Sequence, residues 1–266
     1  MIAVCLKWTA PPGADVSDDR FAGVSPADRS ALETALRLAA ARDMQVIALS
    51  AGPAGAERAL RDALACGAHG AIRSDMPGDA DSRDVAFELA QAAASADVIV
   101  CGDYSLDRGS GSVPAFIAHH RHAAQALGLV AIDDEQVADG AVHAVRRLDG
   151  GRREVLTVPT PCVISVEGSV VSLRRAGLKA ALSSRTTAIE VRSAPPAHHH
   201  RPPAIVTPYR PRARVMPAPS GDHVLDRLRS LTDADAAPAR GELVTLEPRE
   251  AAERIVRALT AWGYLT

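Results

Sequence analysis

The residues best placed to do chemistry lie in Val98-Ile-Val-Cys-Gly-Asp-Tyr-Ser-Leu-Asp-Arg-Gly-Ser-Gly-Ser-Val-Pro114. An apolar run ends at Gly102, a loop of small residues follows, and a helix-like segment resumes near Pro114. Free backbone amides in such a loop, backed by a helix N-terminus, form an anion cradle: the first helical N–H groups lack intrahelical partners and the helix dipole favours negative charge. Gly109-Ser-Gly111 follows neither the dinucleotide fingerprint nor a Walker loop. A plain connection between strand and helix therefore stands beside the phosphate site as a reading.

Other reactive types are scattered. His119, His120 and His122 share one helix without a carboxylate on the same face, and His198 to His200 sit among prolines, so no metal site is expected. Asp133-Asp-Glu135 lacks the spaced oxygen ligands of a calcium loop. Neither a Gly-x-Ser-x-Gly elbow nor His-Glu-x-x-His occurs. A carrier of a nucleotide, not a catalyst, is the expectation.

The elements around the loop alternate between short apolar runs and helices. Ile2–Leu6 reads as a buried strand, and Ser25-Pro26 opens an amphipathic helix that ends near Asp43. Val46–Leu49 is a second strand, and a helix from about Ala56 stops at Gly67. Ala71-Ile72, a helix over Val85–Ala94, Val98–Cys101 and a helix ending near Leu127 continue the series. This is the pattern of an α/β fold, a doubly wound and mostly parallel sheet, whose ligands sit beyond the carboxyl ends of the strands. Ala141–Leu148 and Arg153–Val158 flank Asp149-Gly-Gly151 as a hairpin, and Cys162–Val166 is read with them as an antiparallel appendage. Residues 1–193 are expected to form the nucleotide-binding domain. Residues 194–266, rich in proline and arginine before two amphipathic helical pieces, are expected to form an extended arm.

The 266 residues carry a net charge of −2, which offers no dominant basic patch for nucleic acid or an anionic membrane. No apolar run reaches the roughly 18 to 20 residues that span a bilayer. Met1–Lys7 is too short for a signal peptide and reads as a strand. The four cysteines lack metal or redox spacing, so a cytoplasmic protein with reduced thiols is expected. Aromatics are only 3%, which leaves Ala, Val and Leu to build the core.

Several segments together resemble the beta subunit of electron transfer flavoprotein. Ile2-Ala-Val-Cys-Leu-Lys7 is similar to that family's first strand. Ser25-Pro-Ala-Asp-Arg-Ser-Ala-Leu-Glu-Thr-Ala-Leu-Arg-Leu38 resembles its Asn-Pro helix. Ala51-Gly-Pro53 and Ala59–Ala68 resemble its Gly-Pro turn and following helix, and Cys101-Gly102 with Asp107 its Gly-x-x-Ala-Ile-Asp loop. The likeness covers roughly residues 1–182.

The resemblance implies a subunit that carries electrons from flavin dehydrogenases to an acceptor. It would not be an enzyme unless the version is a bifurcating one. It implies AMP, or a second FAD, in this chain, a redox FAD held mainly by an alpha subunit, and a tail that wraps that partner. Carried over, the nucleotide site comprises Cys5, Lys7, Ser25, Ser50, Ala51, Gly102, Asp107, Arg108, Gly109, Ser110, Gly111, Ser112 and Val113. Val171–Lys179 occupies the place of the family's dehydrogenase-docking loop, with Leu173 as apolar anchor. Tyr104-Ser105 stands where the family has Gln-Ala, and Ser110–Pro114 lacks the Asn-Gln-Thr-Gly of the plain carriers, ending closer to the other branch. AMP and FAD both remain open, and a stand-alone adenine-nucleotide-binding module without a flavin partner is the alternative.

Overall fold

In the computed structural model the described residues are 1–9, 22–133, 140–194, 222–232 and 245–262. The proline-rich stretch 195–221, His198 to His200 and Asp134-Glu135 lie outside them. The chain divides into two compact units, Met1–Pro203 and Ala204–Thr266.

The first unit begins with β1 (Ile2–Cys5), then a small antiparallel pair, β2 (Trp8–Thr9) with β3 (Gly23–Val24). Helix α1 (Pro26–Ala41) follows, with the Ser25 hydroxyl accepting from the Asp28 amide at 3.0 Å, and proline at the start where no donor is needed. Then come β4 (Val46–Gly52), α2 (Glu57–Cys66), β5 (Gly70–Asp75), α3 (Ser82–Ala92), β6 (Val98–Gly102) and α4 (Val113–Arg121). β7 (Ala124–Asp133), β8 (Ala141–Arg147), β9 (Arg153–Pro159) and β10 (Cys162–Val166) follow, and α5 (Leu178–Ser184) and β11 (Glu190–Ser193) close the unit.

The nine-stranded sheet has the order β11-β5-β4-β1-β6-β10-β7-β8-β9, parallel from β11 to β7 and antiparallel for β8 and β9. Side chains alternate between its faces, as the strand period demands. Ile2 and Val4 join a core with Leu32, Leu36 and Leu60 of α1 and α2. Ala3 and Cys5 join a separate core with Leu89 and Ile117 of α3 and α4. Both are almost wholly aliphatic, with many alanines where helix meets sheet.

Two expectations need correction. The helix does not run to Leu127: His122, with φ 47° and ψ 39°, ends it, and the Ala123 amide bonds back to Ala118. Ala124 then starts a ten-residue strand, so sheet pairing overrides the helical preference of alanine. Cys162–Val166 is not an appendage but an interior parallel strand between β6 and β7. All five of its residues are buried, as a strand covered on both faces requires. The antiparallel part is β8 and β9 alone. The basic stretch after Ser172 also holds structure that its weak periodicity hid. Arg61 donates to the Ser184, Arg185 and Thr187 carbonyls at and just past the end of helix α5, at 2.8 to 3.3 Å, and β11 extends the far edge.

In the second unit, α6 (Val224–Thr232) and α7 (Pro248–Ala261) are described. Val224, Leu225, Leu228, Ile255, Val256 and Trp262 are exposed. Among the described residues no helix is long and apolar enough to cross a membrane.

Candidate functional site

The chain runs outward through β1, β4 and β5, then returns to place β6 on the other side of β1. The carboxyl ends of β1 and β6 therefore diverge into loops on opposite sides, leaving a crevice between them. A cleft of about 810 Å³, open mouth included, occupies this place, a size that suits a mononucleotide-sized ligand.

Its floor is made by Cys5, Leu6 and Lys7 after β1 and by Cys101 and Gly102 of β6, with Ala51 of β4 at one side. Arg108, Ser110, Gly111, Ser112 and Val113 form the loop wall. The remaining sequence-derived positions stand behind these. Ser25 caps α1, Asp107 holds Lys7, Gly109 donates its amide to the Ser105 hydroxyl in its own loop, and Ser50 is buried in β4. Asp28, Tyr104, Ser105 and the loop from Pro77 to Ser82 also line the cleft and escaped the sequence reading. Asp28 had a visible signal, its place three residues after an N-cap serine, but helix-start acids usually face solvent.

Gly102 lets β6 lie directly on the first turn of α1. A Cβ there would sit 2.9 Å from the Asp28 nitrogen and 3.0 Å from the Ala27 carbonyl carbon, so only glycine fits. Gly111, with φ +60°, turns the loop back over Asp103, and a side chain would come 2.6 Å from the Asp103 carbonyl oxygen. Between them the loop is fastened at two points. Lys7 Nζ donates to both carboxylate oxygens of Asp107, at 2.9 and 2.6 Å. Arg108 spans the mouth to donate to the Ala80 and Asp79 carbonyls at 2.8 and 2.6 Å.

The electrostatics are uneven. Burial pushes the Asp28 carboxyl up to about 7, against the Lys7 and Gly102 amides, the Lys7 charge and the Ser25 hydroxyl, all of which favour its ionised form. The Lys7 amide donates to Asp28 Oδ2 at 3.0 Å. Partial burial pushes Asp107 upward too, but the Lys7 ammonium, the Ser105 hydroxyl and the Arg108 amide outweigh it and hold that carboxyl far below the ordinary range. Helix α4 starts at Ser112 with no side-chain cap and no acid in its first turn, so its N-terminal dipole is uncompensated where it meets the cleft.

The residues fit an adenine nucleotide in chemical terms. Ser110 and Ser112, whose hydroxyls lie 2.9 Å apart, and the amides at the start of α4, which no side chain caps, are donors for a phosphate. The Ser50 hydroxyl, behind the cleft lining, is buried without a hydrogen-bond partner among the described residues. Val85, Leu89 and Pro114 add apolar surface for a flat ring. Among those residues no group of three or more His, Cys, Asp or Glu gathers as a metal site, and His119 and His122 stand 6.5 Å apart between ring centres.

The segment expected to dock a dehydrogenase has a different build. After β10, residues 167–177 cross α1, where the Val171 amide donates to Ser30 Oγ at 3.3 Å. Arg174 donates its amide and guanidinium to Glu33 at 2.9 to 3.1 Å. Leu173 is half-buried against the core, whereas Leu178 and Leu182 of α5 are 78% and 53% exposed. The apolar surface offered to solvent therefore lies a helical turn beyond the expected anchor.

Comparison with known proteins places these features. The family model described as electron transfer flavoprotein domain matches residues 16–197. Protein FixA of Rhizobium meliloti (strain 1021) is 30% identical over 175 residues, 62% of this chain and 60% of its own length. The electron transfer flavoprotein subunit beta of Syntrophomonas wolfei is 30% identical over 200 residues, 69% of this chain and 76% of the relative. That of Dictyostelium discoideum is 26% identical over 171 residues, 63% of this chain and 67% of the relative. The match thus spans less than two thirds of the FixA protein and most of the two beta subunits. With a family model over more than half its length and a beta subunit matched over three quarters, this chain belongs to the electron transfer flavoprotein beta-subunit family.

Proposed function

We propose that the chain is the beta subunit of an electron transfer flavoprotein-type heterodimer, carrying electrons from flavin dehydrogenases to a downstream acceptor. It has no catalytic residues of its own in this reading and works in the cytoplasm. The observation that carries the proposal is the cleft between the ends of β1 and β6, closed by a loop that ends at the uncapped start of α4.

In this reading Ser110, Ser112 and the amides from Gly109 to Val113 hold the phosphate of AMP or of a second FAD. Lys7 on the floor and Arg108 in the loop wall border the same cleft. Ser25 and Asp107 act indirectly, by fixing α1 and Lys7, and Ser50 with Ala51 bounds the ribose or adenine side. The redox FAD is held chiefly by the alpha subunit and supplies the electron-transfer chemistry. Exposed Leu178 and Leu182, with half-buried Leu173, form the apolar anchor for a dehydrogenase, and Arg175 and Lys179 steer it. The exposed apolar residues of α6 and α7 favour a partnered chain over a stand-alone nucleotide-binding module.

Co-purification of the full chain with its alpha subunit tests the proposal. A yellow heterodimer with a flavin absorption spectrum is expected. A colourless complex, or a chain that stays a soluble monomer or homodimer beside the alpha subunit, would overturn it.

A further inference from the structure

Cys5 ends β1 and Cys101 lies near the end of β6, its parallel neighbour. The register pairs Ala3 with Ile99 and Val4 with Val100, which sets Cys5 opposite Cys101. Both side chains enter the same apolar cluster, so they project from the same face of the sheet. Neighbouring strands lie about 4.8 Å apart, within the Cα separations that a disulfide spans. Both cysteines are free, and both line the cleft floor. The other two cysteines lack such a neighbour among the described residues. Cys66 directs its thiol toward the Arg174 carbonyl at 3.7 Å, and Cys162 sits in the opposite core.

We propose that Cys5 and Cys101 form a dithiol site at the floor of the cleft that closes to an intramolecular disulfide on meeting a low-molecular-weight disulfide. One cysteine, as thiolate, attacks the reagent's sulfur–sulfur bond, forming a mixed disulfide and expelling one thiolate. The second cysteine attacks the protein sulfur of that adduct, joins the two strands and releases the second thiolate. The released thiolates take up the two protons that the cysteines lose. Two protein thiols are oxidised by two electrons, and the reagent is reduced to two thiols. The second step is intramolecular, so adjacency drives it even though the first is slow. Its slowness has a physical source: the neighbouring Cys5 thiol and burial both push the Cys101 thiol up, leaving little thiolate at neutral pH.

The chemistry of this site stands on the strand register alone. One consequence rests on the nucleotide reading: an occupant of the cleft covers the floor, so closure reports whether the cleft is filled.

The test uses the full chain, reduced and stripped of nucleotide, treated natively with dipyridyl disulfide and mapped as non-reduced peptides. A cross-linked pair of peptides containing Cys5 and Cys101, lighter by two hydrogens, is expected, with Cys66 carrying a simple pyridyl adduct. In Cys5→Ser, a near-isosteric change, Cys101 is expected as an adduct or unmodified, never cross-linked to another cysteine. Stable separate adducts on Cys5 and Cys101 in the wild-type chain, or no reaction at either while Cys66 reacts, would overturn the dithiol site. Adding AMP or FAD at about 100 times its Kd is expected to slow closure roughly 100-fold, since only the free fraction exposes the floor. A cross-link that forms as fast with nucleotide as without would contradict the nucleotide reading and leave the dithiol standing.

Discussion

Helix α1 carries two buried carboxylates, Asp28 in its first turn and Glu33 in its middle, and the regions that they hold are built on opposite principles. Asp28 faces the cleft, where backbone amides and small residues gather and no cation closes on it directly. Burial therefore dominates and raises its pKa. Glu33 faces the segment after β10. Burial pushes its carboxyl up as well, but hydrogen bonds from Arg174 and Arg37 win and hold it below the ordinary glutamate range. At one end of the helix backbone amides and a hydroxyl, not a cation, meet the carboxylate. The other consumes its donors internally and clamps a segment in place, so that α5 beyond it presents its leucines outward.

The largest expected effect breaks this contrast through pH. Asp28 has a folded pKa near 7, raised above the unfolded aspartate value near 4, so its contribution to stability is fully present below about pH 4 and lost as pH rises through 7. Urea denaturation should show this group costing on the order of 3 kcal/mol between pH 4 and 8. Asp28→Asn should flatten that slope. Glu33 acts in the opposite sense: its depressed pKa gives stability that is present above the unfolded glutamate value and lost as pH falls through the folded one.

Gly102→Ala comes next, because its methyl meets backbone atoms of α1 that cannot step aside. A loss of about 2 to 3 kcal/mol is expected from such overpacking, together with weaker AMP binding by calorimetry. Glu33→Gln should cost about 1 to 2 kcal/mol, since Arg174 is partly exposed and keeps a neutral partner. Its more specific signature is faster amide exchange over 170–176 with nucleotide affinity unchanged. Lys7→Ala removes a partly exposed ion pair and should change stability by less than about 1 kcal/mol, while loosening the 103–112 loop. Leu178→Glu should leave stability within about 0.5 kcal/mol of wild type and raise the apparent KM for a dehydrogenase partner.

The sequence was most informative where local and global signals agree. The Ser25-Pro26 start of α1, the Gly67 end of α2 and the apolar runs of β1, β4 and β6 each carry a cap or a period that fixes an element without tertiary help. The loop from Gly102 to Pro114 was legible as a connection from β6 to α4 for the same reason, through its small residues and the proline that starts α4. Tertiary pairing decided what was misread. Alanines at 123 and 124 prefer helix, and only the partnership of β7 with β10 makes Ala124 the start of a strand. β11 is short, exposed and charged, and is recognisable only from its place beside β5. The role of Asp28 depends on Gly102 arriving from 74 residues away, and the half-burial of Leu173 depends on Arg174 reaching Glu33. No spacing along the chain encodes either contact.

The most direct measurement is to denature the purified full-length protein and identify and count the nucleotide released, by chromatography and mass. Close to one AMP or one FAD per chain is expected from the cleft of β1 and β6, lost selectively in Gly102→Ala. Protein that is folded and homogeneous yet releases no adenine nucleotide, and binds none on titration, would contradict it.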